Sequence, residues 1–422
     1  MRHWKLLPAA LLLILAFAPY AHAEDAEARA KRGGELTELH GYPVLRLRGT
    51  DMRARGFAHG YYLADKVIAC LDDALRSLPW FSAKRYEEQL RPWATKNFHW
   101  DADADDELAG LYDGMAARQG AEHLRSEVLG RALKPDDLHA INTIADWFGP
   151  ACSGFTVWGK LSAEGEVLHG RNLDFPIGGR AVSDQIVLAV EALPARDGRP
   201  ARRAWIGVGW PGLVSLYSGM NADGLVICLH DANNVLRGGA EDGFVARGVL
   251  LRRMLEEVDP AAGDPASAAA KLAAERPTAC GNLFHLSWPR AAAEKTGTTP
   301  SAVLEFDARD RDGQGGGVAI RRMDASGRLV VTNHYCVRNT PESCERFGAI
   351  SRAIDALSLG AQTIRVAEAR RILIGGKLAA AAHTLVFEPD ARRVHVSISR
   401  GNLLSPFAVG TAFRTDELLG RE

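Results

Sequence analysis

The run Cys152-Ser153-Gly154-Phe155-Thr156-Val157-Trp158-Gly159 is followed, after a short turn, by His169-Gly170-Arg171-Asn172-Leu173-Asp174-Phe175. The first stretch alternates with the period of a strand and the second returns in the same way, so the two read as a hairpin. Pairing them brings one thiol, one guanidinium and one carboxylate to the same end of a sheet. Upstream, Pro135-Asp136-Asp137 opens a helical pattern in which Leu138, Ile141, Ala145 and Phe148 recur on one face. Cys152 therefore stands where helix gives way to strand, a place where a chain can be cut. Cleavage between Ala151 and Cys152 would leave Cys152 with an α-amine of unperturbed pKa about 7.7–8, within reach of its own sulfur. Nucleophile and general base would then sit on one residue.

Working outward, residues 60–148 read as helical, and strands are expected at 184–192, 203–209, 213–219 and 224–230, with residues 194–200 as a hairpin connection. Helices follow at 242–258 and 264–275, then strands at 281–288, 301–307, 317–323 and 328–333. Helices return at 344–358 and 362–373, and strands at 383–388 and 392–399. Strands, helices and strands again, without regular βα alternation, describe an α+β protein of antiparallel sheets covered by helices. The Gly- and Asp-rich loop 307–317 lacks the ligand alternation and closing Glu of a calcium loop, so it reads as a solvated connection. No metal or cofactor is expected.

The 422 residues carry 51 Lys and Arg against 52 Asp and Glu, a net charge of −1, and are 47% hydrophobic. That balance excludes the basic stripe of a nucleic-acid binder and is ample for a large core. Residues 1–23 read as a signal peptide: Arg2, His3 and Lys5, an apolar stretch from Leu6 to Ala18, then Ala21-His22-Ala23 before Glu24. The stretch is short of the roughly 20 residues of a membrane span, so a secreted or periplasmic protein without a stable membrane anchor is expected. The six cysteines are Cys70, Cys152, Cys228, Cys280, Cys336 and Cys344, too irregular for a disulfide framework or a paired zinc site. Cys336 and Cys344 are near enough in sequence to bridge in an oxidising compartment, or to remain two free thiols.

The Cys-Ser-Gly-Phe start, the Gly-Arg-Asn-Leu-Asp return, Gly219-Met220-Asn221-Ala222-Asp223-Gly224-Leu225 and Thr332-Asn333-His334 resemble the N-terminal-nucleophile hydrolases. Within them the chain is similar to the acyl-coenzyme A:6-aminopenicillanic acid acyltransferase-like peptidases, and more distantly to choloylglycine hydrolases and acid ceramidases. The likeness extends upstream to Gly56-Phe57-Ala58-His59-Gly60 and to residues 107–114. It implies a four-layer αββα sandwich, with 24–151 as a helical pro-region or small chain that folds as one domain with the catalytic chain 152–422.

The resemblance also implies roles. Cys152 would be the thiol nucleophile and Ala151–Cys152 the cleavage site, where composition alone would read a buried structural cysteine. Arg171 would lie beside the thiol and lower its pKa, Asp174 would accept a hydrogen bond from the Cys152 α-amine, and Asn333 would donate to the oxyanion. Asn221, His230 and Arg346 are weaker candidates for oxyanion or substrate contacts: Asn221 also suits a turn, His230 or Asp231 stands where an Asn or Tyr is expected to supply a second donor through the backbone, and Arg346 also suits a solvated helix face. Trp147, Phe148, Trp158, Trp210 and Tyr217 could line an apolar acyl pocket or simply belong to the core. The reading is a secreted, self-processing amidohydrolase for small linear amides. Its alternatives are an acyltransferase using the same thioester and a non-catalytic binding protein on the same fold.

Overall fold

The protein was analysed as a computed structural model that describes residues 20–421, apart from 79–80, 148, 150, 176–177, 197, 199, 233–242, 308–316, 339–343, 377–380 and 402. Most of the expected leader (1–19) and of the loop 307–317 lies outside the described residues, as does Phe148; a helix, Tyr20–Gly33, runs over the leader's last positions. Among the described residues no helix is long and apolar enough to cross a membrane.

Two large sheets carry the fold. The first has nine strands in the order Gly34–Leu39, Tyr42–Leu47, Ile186–Val190, Trp205–Gly209, Ser218–Asn221, Val226–Asp231, Asn282–Ser287, Ser301–Phe306 and Ala319–Arg322. The second has six: Arg328–Val331, Ala151–Gly159, Gly165–Asp174, Ala381–Glu388, Arg393–Ile398 and Thr411–Arg414. Neighbours are antiparallel except Tyr42–Leu47 and Ile186–Val190, which run parallel with Val44 opposite Val187.

Side-chain alternation sorts the layers. Leu188, Ile227, Leu229, Phe284 and Leu304 pack outward with Leu63, Leu111, Leu251 and Ala269 of the helices Met52–Arg76, Ala102–Gln119, Arg247–Glu257 and Pro265–Glu275. Phe155, Val157 and Val386 pack outward from the second sheet with Ile350, Ile354, Ile372 and Leu373 of Glu345–Leu359 and Val366–Gly375. Between the sheets, Val187, Ile206, Met220 and Cys228 meet Leu385, Val394, Val396 and Phe413. The result is the four-layer αββα sandwich of an α+β protein.

The inter-sheet space is apolar at one side and polar at the other. On the polar side Thr156 Oγ1 lies 2.9 Å from His285 Nε2, His169 Nδ1 lies 2.9 Å from Ser287 Oγ, and the two rings stack with centroids 4.0 Å apart. The chemistry-bearing face of the Cys152 strand opens onto this polar half.

The segment 24–151 departs from the all-helical reading. Gly34–Leu39 and Tyr42–Leu47 form a hairpin at the edge of the nine-stranded sheet, turning at His40 and Gly41 with φ of 51° and 80°. The alternation Glu35-Leu36-Thr37-Glu38-Leu39 carried that signal, but it is short and one-sided. Residues 213–217 precede a strand at Ser218–Asn221 rather than forming it. The helix Met52–Arg76 begins eight residues before position 60, capped by Asp51. Against it lies Ala102–Gln119, and glycines set the contact. A Cβ on Gly56 would fall 1.9 Å from Glu107 O and one on Gly60 1.9 Å from Leu111 O, while Gly110 and Gly114 present the reciprocal faces. The upstream motifs of the resemblance are thus a helix crossing.

Candidate active site

Helix Ile144–Trp147 ends just before strand Ala151–Gly159 begins, so Cys152 does sit at a helix-to-strand junction, fully buried. Ala151 is opposite Asp174, Cys152 opposite Leu173 and Gly154 opposite Arg171. Because side chains alternate, Cys152 and Arg171 share the inward face. Gly154 is small for a reason: a Cβ there would lie 3.1 Å from His230 Cε1 and 2.8 Å from Gly170 O.

The Cys152 thiol points at Leu229 O, 3.5 Å away, and Arg171 Nη2 donates to the same oxygen at 2.7 Å. Arg171 is fully buried and also donates through Nη1 to Asn172 O (3.0 Å) and through Nε to Ser218 Oγ (3.2 Å). Burial pushes the thiol pKa up, and the pull of Arg171, by charge and hydrogen bond, only partly offsets it; Asp174 adds to the rise and Arg346 opposes it. Arg171 thus pulls in the expected direction, while desolvation outweighs it in the net shift. A thiol that keeps its proton needs a base at the moment of attack.

Asn333 follows strand Arg328–Val331, the neighbour of the Cys152 strand. Its Oδ1 accepts from Cys152 N (2.8 Å) and from Arg346 Nη2 (2.7 Å), and its Nδ2 donates to Asp231 O (2.6 Å). Since a guanidinium and an N–H can only donate, the amide orientation is fixed. Asn333 thus accepts from the Cys152 nitrogen, the contact that the sequence reading gave to Asp174. Arg346, in helix Glu345–Leu359, also donates to Cys152 O and lies 3.9 Å from Asp174 Oδ2. It joins the cluster rather than a solvated face.

Asp231, the alternative to His230 in the sequence reading, and Arg247, which the sequence did not single out, complete the surroundings. Asp231, at the end of its strand, fixes Asn333 through its carbonyl and pairs through its carboxylate with the fully buried Arg247 at 2.6 Å. Arg247 in turn donates to Ala145 O, and Asp231 sits where any Cβ on Gly149 would be, 2.1 Å from Oδ2. The pair therefore grips the segment just upstream of Cys152. Asp146, beside it, is pushed up to about 7 by burial against the pull of Arg247.

Asn221 does not reach this cluster. Its Nδ2 donates to Leu255 O (3.0 Å) and its Oδ1 accepts from Asp223 N and Leu225 N, so it shapes the turn and anchors a helix end. His230 packs over Gly154 with neither ring nitrogen hydrogen-bonded among the described residues; burial, then Arg171, holds its pKa well below the usual range. His334 meets Thr332 Oγ1 at 3.0 Å and Cys336 Sγ at 3.8 Å. Cys336 and Cys344 are both free thiols. Among the described residues no group of three His, Cys, Asp or Glu is arranged to hold a metal ion.

A small apolar cavity of about 30 Å³ is lined by Val67, Leu71, Ile144, Phe175, Trp210 and Leu213, among others. Of the aromatics proposed from sequence Trp210 reaches it, with the Tyr217 ring tilted against it at 5.8 Å. Phe175 is the residue after Asp174, which ties the cavity to the cluster along the chain.

No protein-family model matches the chain, and no curated protein matches it in sequence. Among solved structures it is similar to a Caenorhabditis elegans ortholog of N-acylethanolamine-hydrolyzing acid amidase (14% identity, 57% of this chain and 93% of that one, TM-score 0.38). It is also similar to a variant of the conjugated bile acid hydrolase of Clostridium perfringens (14%, 64% and 95%, TM-score 0.40) and to penicillin V acylase of Agrobacterium tumefaciens (11%, 62% and 90%, TM-score 0.40).

Proposed function

We propose that this chain is a secreted, self-processing cysteine amidohydrolase of the N-terminal-nucleophile class. The observation that carries the reading is that the thiol and the backbone nitrogen of one buried residue, Cys152, are held by separate partners: Leu229 O and Arg171 on one side, Asn333 on the other. In self-processing, Cys152 Sγ attacks the Ala151 carbonyl carbon. A C–S bond forms, the C–N bond breaks, and the nitrogen leaves as the α-amine; water then hydrolyses the thioester. The freed amine keeps Asn333 Oδ1 as acceptor, with Asp174 nearby to complete its orientation.

In the amidase reaction the amine takes the thiol proton as sulfur attacks the substrate carbonyl, and the resulting ammonium protonates the leaving nitrogen. Water releases the acid. The Asn333 side-chain amide is the proposed oxyanion donor.

The test is intact mass and terminal sequencing of purified protein. Wild type should yield a piece beginning at Cys152, and Cys152→Ala should stay one chain. Wild-type protein that remains uncut yet hydrolyses amides would sink the mechanism.

A further inference from the structure

Behind Arg171 runs a line of buried polar groups whose hydrogen-bond direction is determined at every step. Gln185 Nε2 donates to Val182 O (2.8 Å) and Ala382 O (2.9 Å), so Oε1 is the atom that faces His383 Nδ1 at 2.8 Å. An amide oxygen can only accept, so Nδ1 carries the hydrogen. Burial, then the charge of Arg171, holds the His383 pKa well below the usual range, so the ring is neutral and Nε2 is an acceptor. The group that faces Nε2 is Ser218 Oγ at 3.2 Å, whose hydroxyl hydrogen must therefore point to His383. That leaves the lone pairs of Ser218 turned toward Arg171 Nε, 3.2 Å away.

We propose that Ser218, His383 and Gln185 are positioning residues that hold the Arg171 guanidinium against the Cys152 thiol. The proposal rests on the reading of Cys152 as nucleophile and Arg171 as its cation. Arg171 needs such a holder. It is a buried charge whose other hydrogen bonds go to two backbone carbonyls, and one of those, Leu229 O, is the acceptor it shares with the thiol. Without Ser218 as an oriented acceptor, Nε would be unsatisfied and the plane of the guanidinium free to turn. The four residues come from four strands or strand ends of both sheets, so the chain also ties the sheets together at the catalytic level. The charged and titratable groups around the thiol are Arg171, Asp174 and Arg346, and Cys228 lies opposite Ser218.

The test is the pH midpoint of Cys152 alkylation by iodoacetamide, read by peptide mass on the full chain. Arg171→Ala should raise the midpoint. Ser218→Ala and His383→Leu should raise it too, by about 1 pH unit, the lower end of what a neighbouring charge does. His383→Gln, which can offer a side-chain oxygen to Ser218, should stay nearer wild type than His383→Leu. If wild type and Arg171→Ala share a midpoint, the cation reading fails. If they differ but Ser218→Ala and His383→Leu both match wild type, the positioning chain fails. Should His383→Leu not fold, Ser218→Ala, which removes one oxygen, decides alone.

Discussion

The proposed mechanism gives Asn333 two jobs on one amide, and the two can be separated. Its oxygen holds the Cys152 nitrogen and Arg346, while its nitrogen is turned toward Asp231 O and the site. Asn333→Asp keeps an acceptor in place and removes the N–H donors. In processed enzyme it should lose about 10² to 10³ in kcat with KM little changed, as expected for a donor acting on transition-state charge. Asn333→Ala, which also frees the amine, should impair cleavage itself. An Asn333→Asp enzyme with wild-type kcat would leave the residue as an amine holder only. Cys152, Arg171, Asp174, Asn333 and Arg346 were legible because each sits in a recognisable short motif. Asp231 was legible only as the alternative to His230; its pairing with Arg247, and Ser218, His383 and Gln185, were not, because their roles arise from partners far apart in sequence, such as Gln185 and His383. Nothing local marks them.

At the level of elements, periodicity located most strands and helices after Cys152, since most strands there are buried on both faces, as in Ile186–Val190, Asn282–Ser287 and Ser301–Phe306. It failed for the hairpin Gly34–Leu47, whose six-residue strands lie at the sheet edge with one strand half solvated. The Gly56 and Gly60 motif, read from sequence only as part of the resemblance, is a packing device. Gly60→Ala should force the helices Met52–Arg76 and Ala102–Gln119 apart against the backbone oxygen of Leu111 and cost about 1–3 kcal/mol, an overpacking penalty. Urea unfolding should report it as a lowered midpoint. Gly375, at the end of Val366–Gly375, has nothing within 4 Å of its ideal Cβ, and Gly375→Ala should leave the midpoint unchanged or slightly raised. Equal effects at the two positions would refute the crossing argument.

For the whole molecule, composition and pattern supported an α+β protein, while the four layers came from resemblance alone, since local sequence says nothing about which sheet faces which. The layering has a consequence for the cut. Residues before Ala151 supply two strands of the nine-stranded sheet and two helices over it, and Tyr42–Leu47 pairs directly with Ile186–Val190. After cleavage the two pieces should co-elute in native size exclusion and separate only in denaturant; early separation would contradict the shared sheet. Seen from the side of manufacture, the upstream piece is a template rather than a disposable leader. A gene trimmed to begin at Cys152 would encode a chain whose Ile186–Val190 strand has an open hydrogen-bonding edge and a bare apolar flank, an invitation to aggregate. If the proposed cut occurs, folded material is to be made only from the uncut gene, and a batch once cut and denatured would refold only with both halves in the tube.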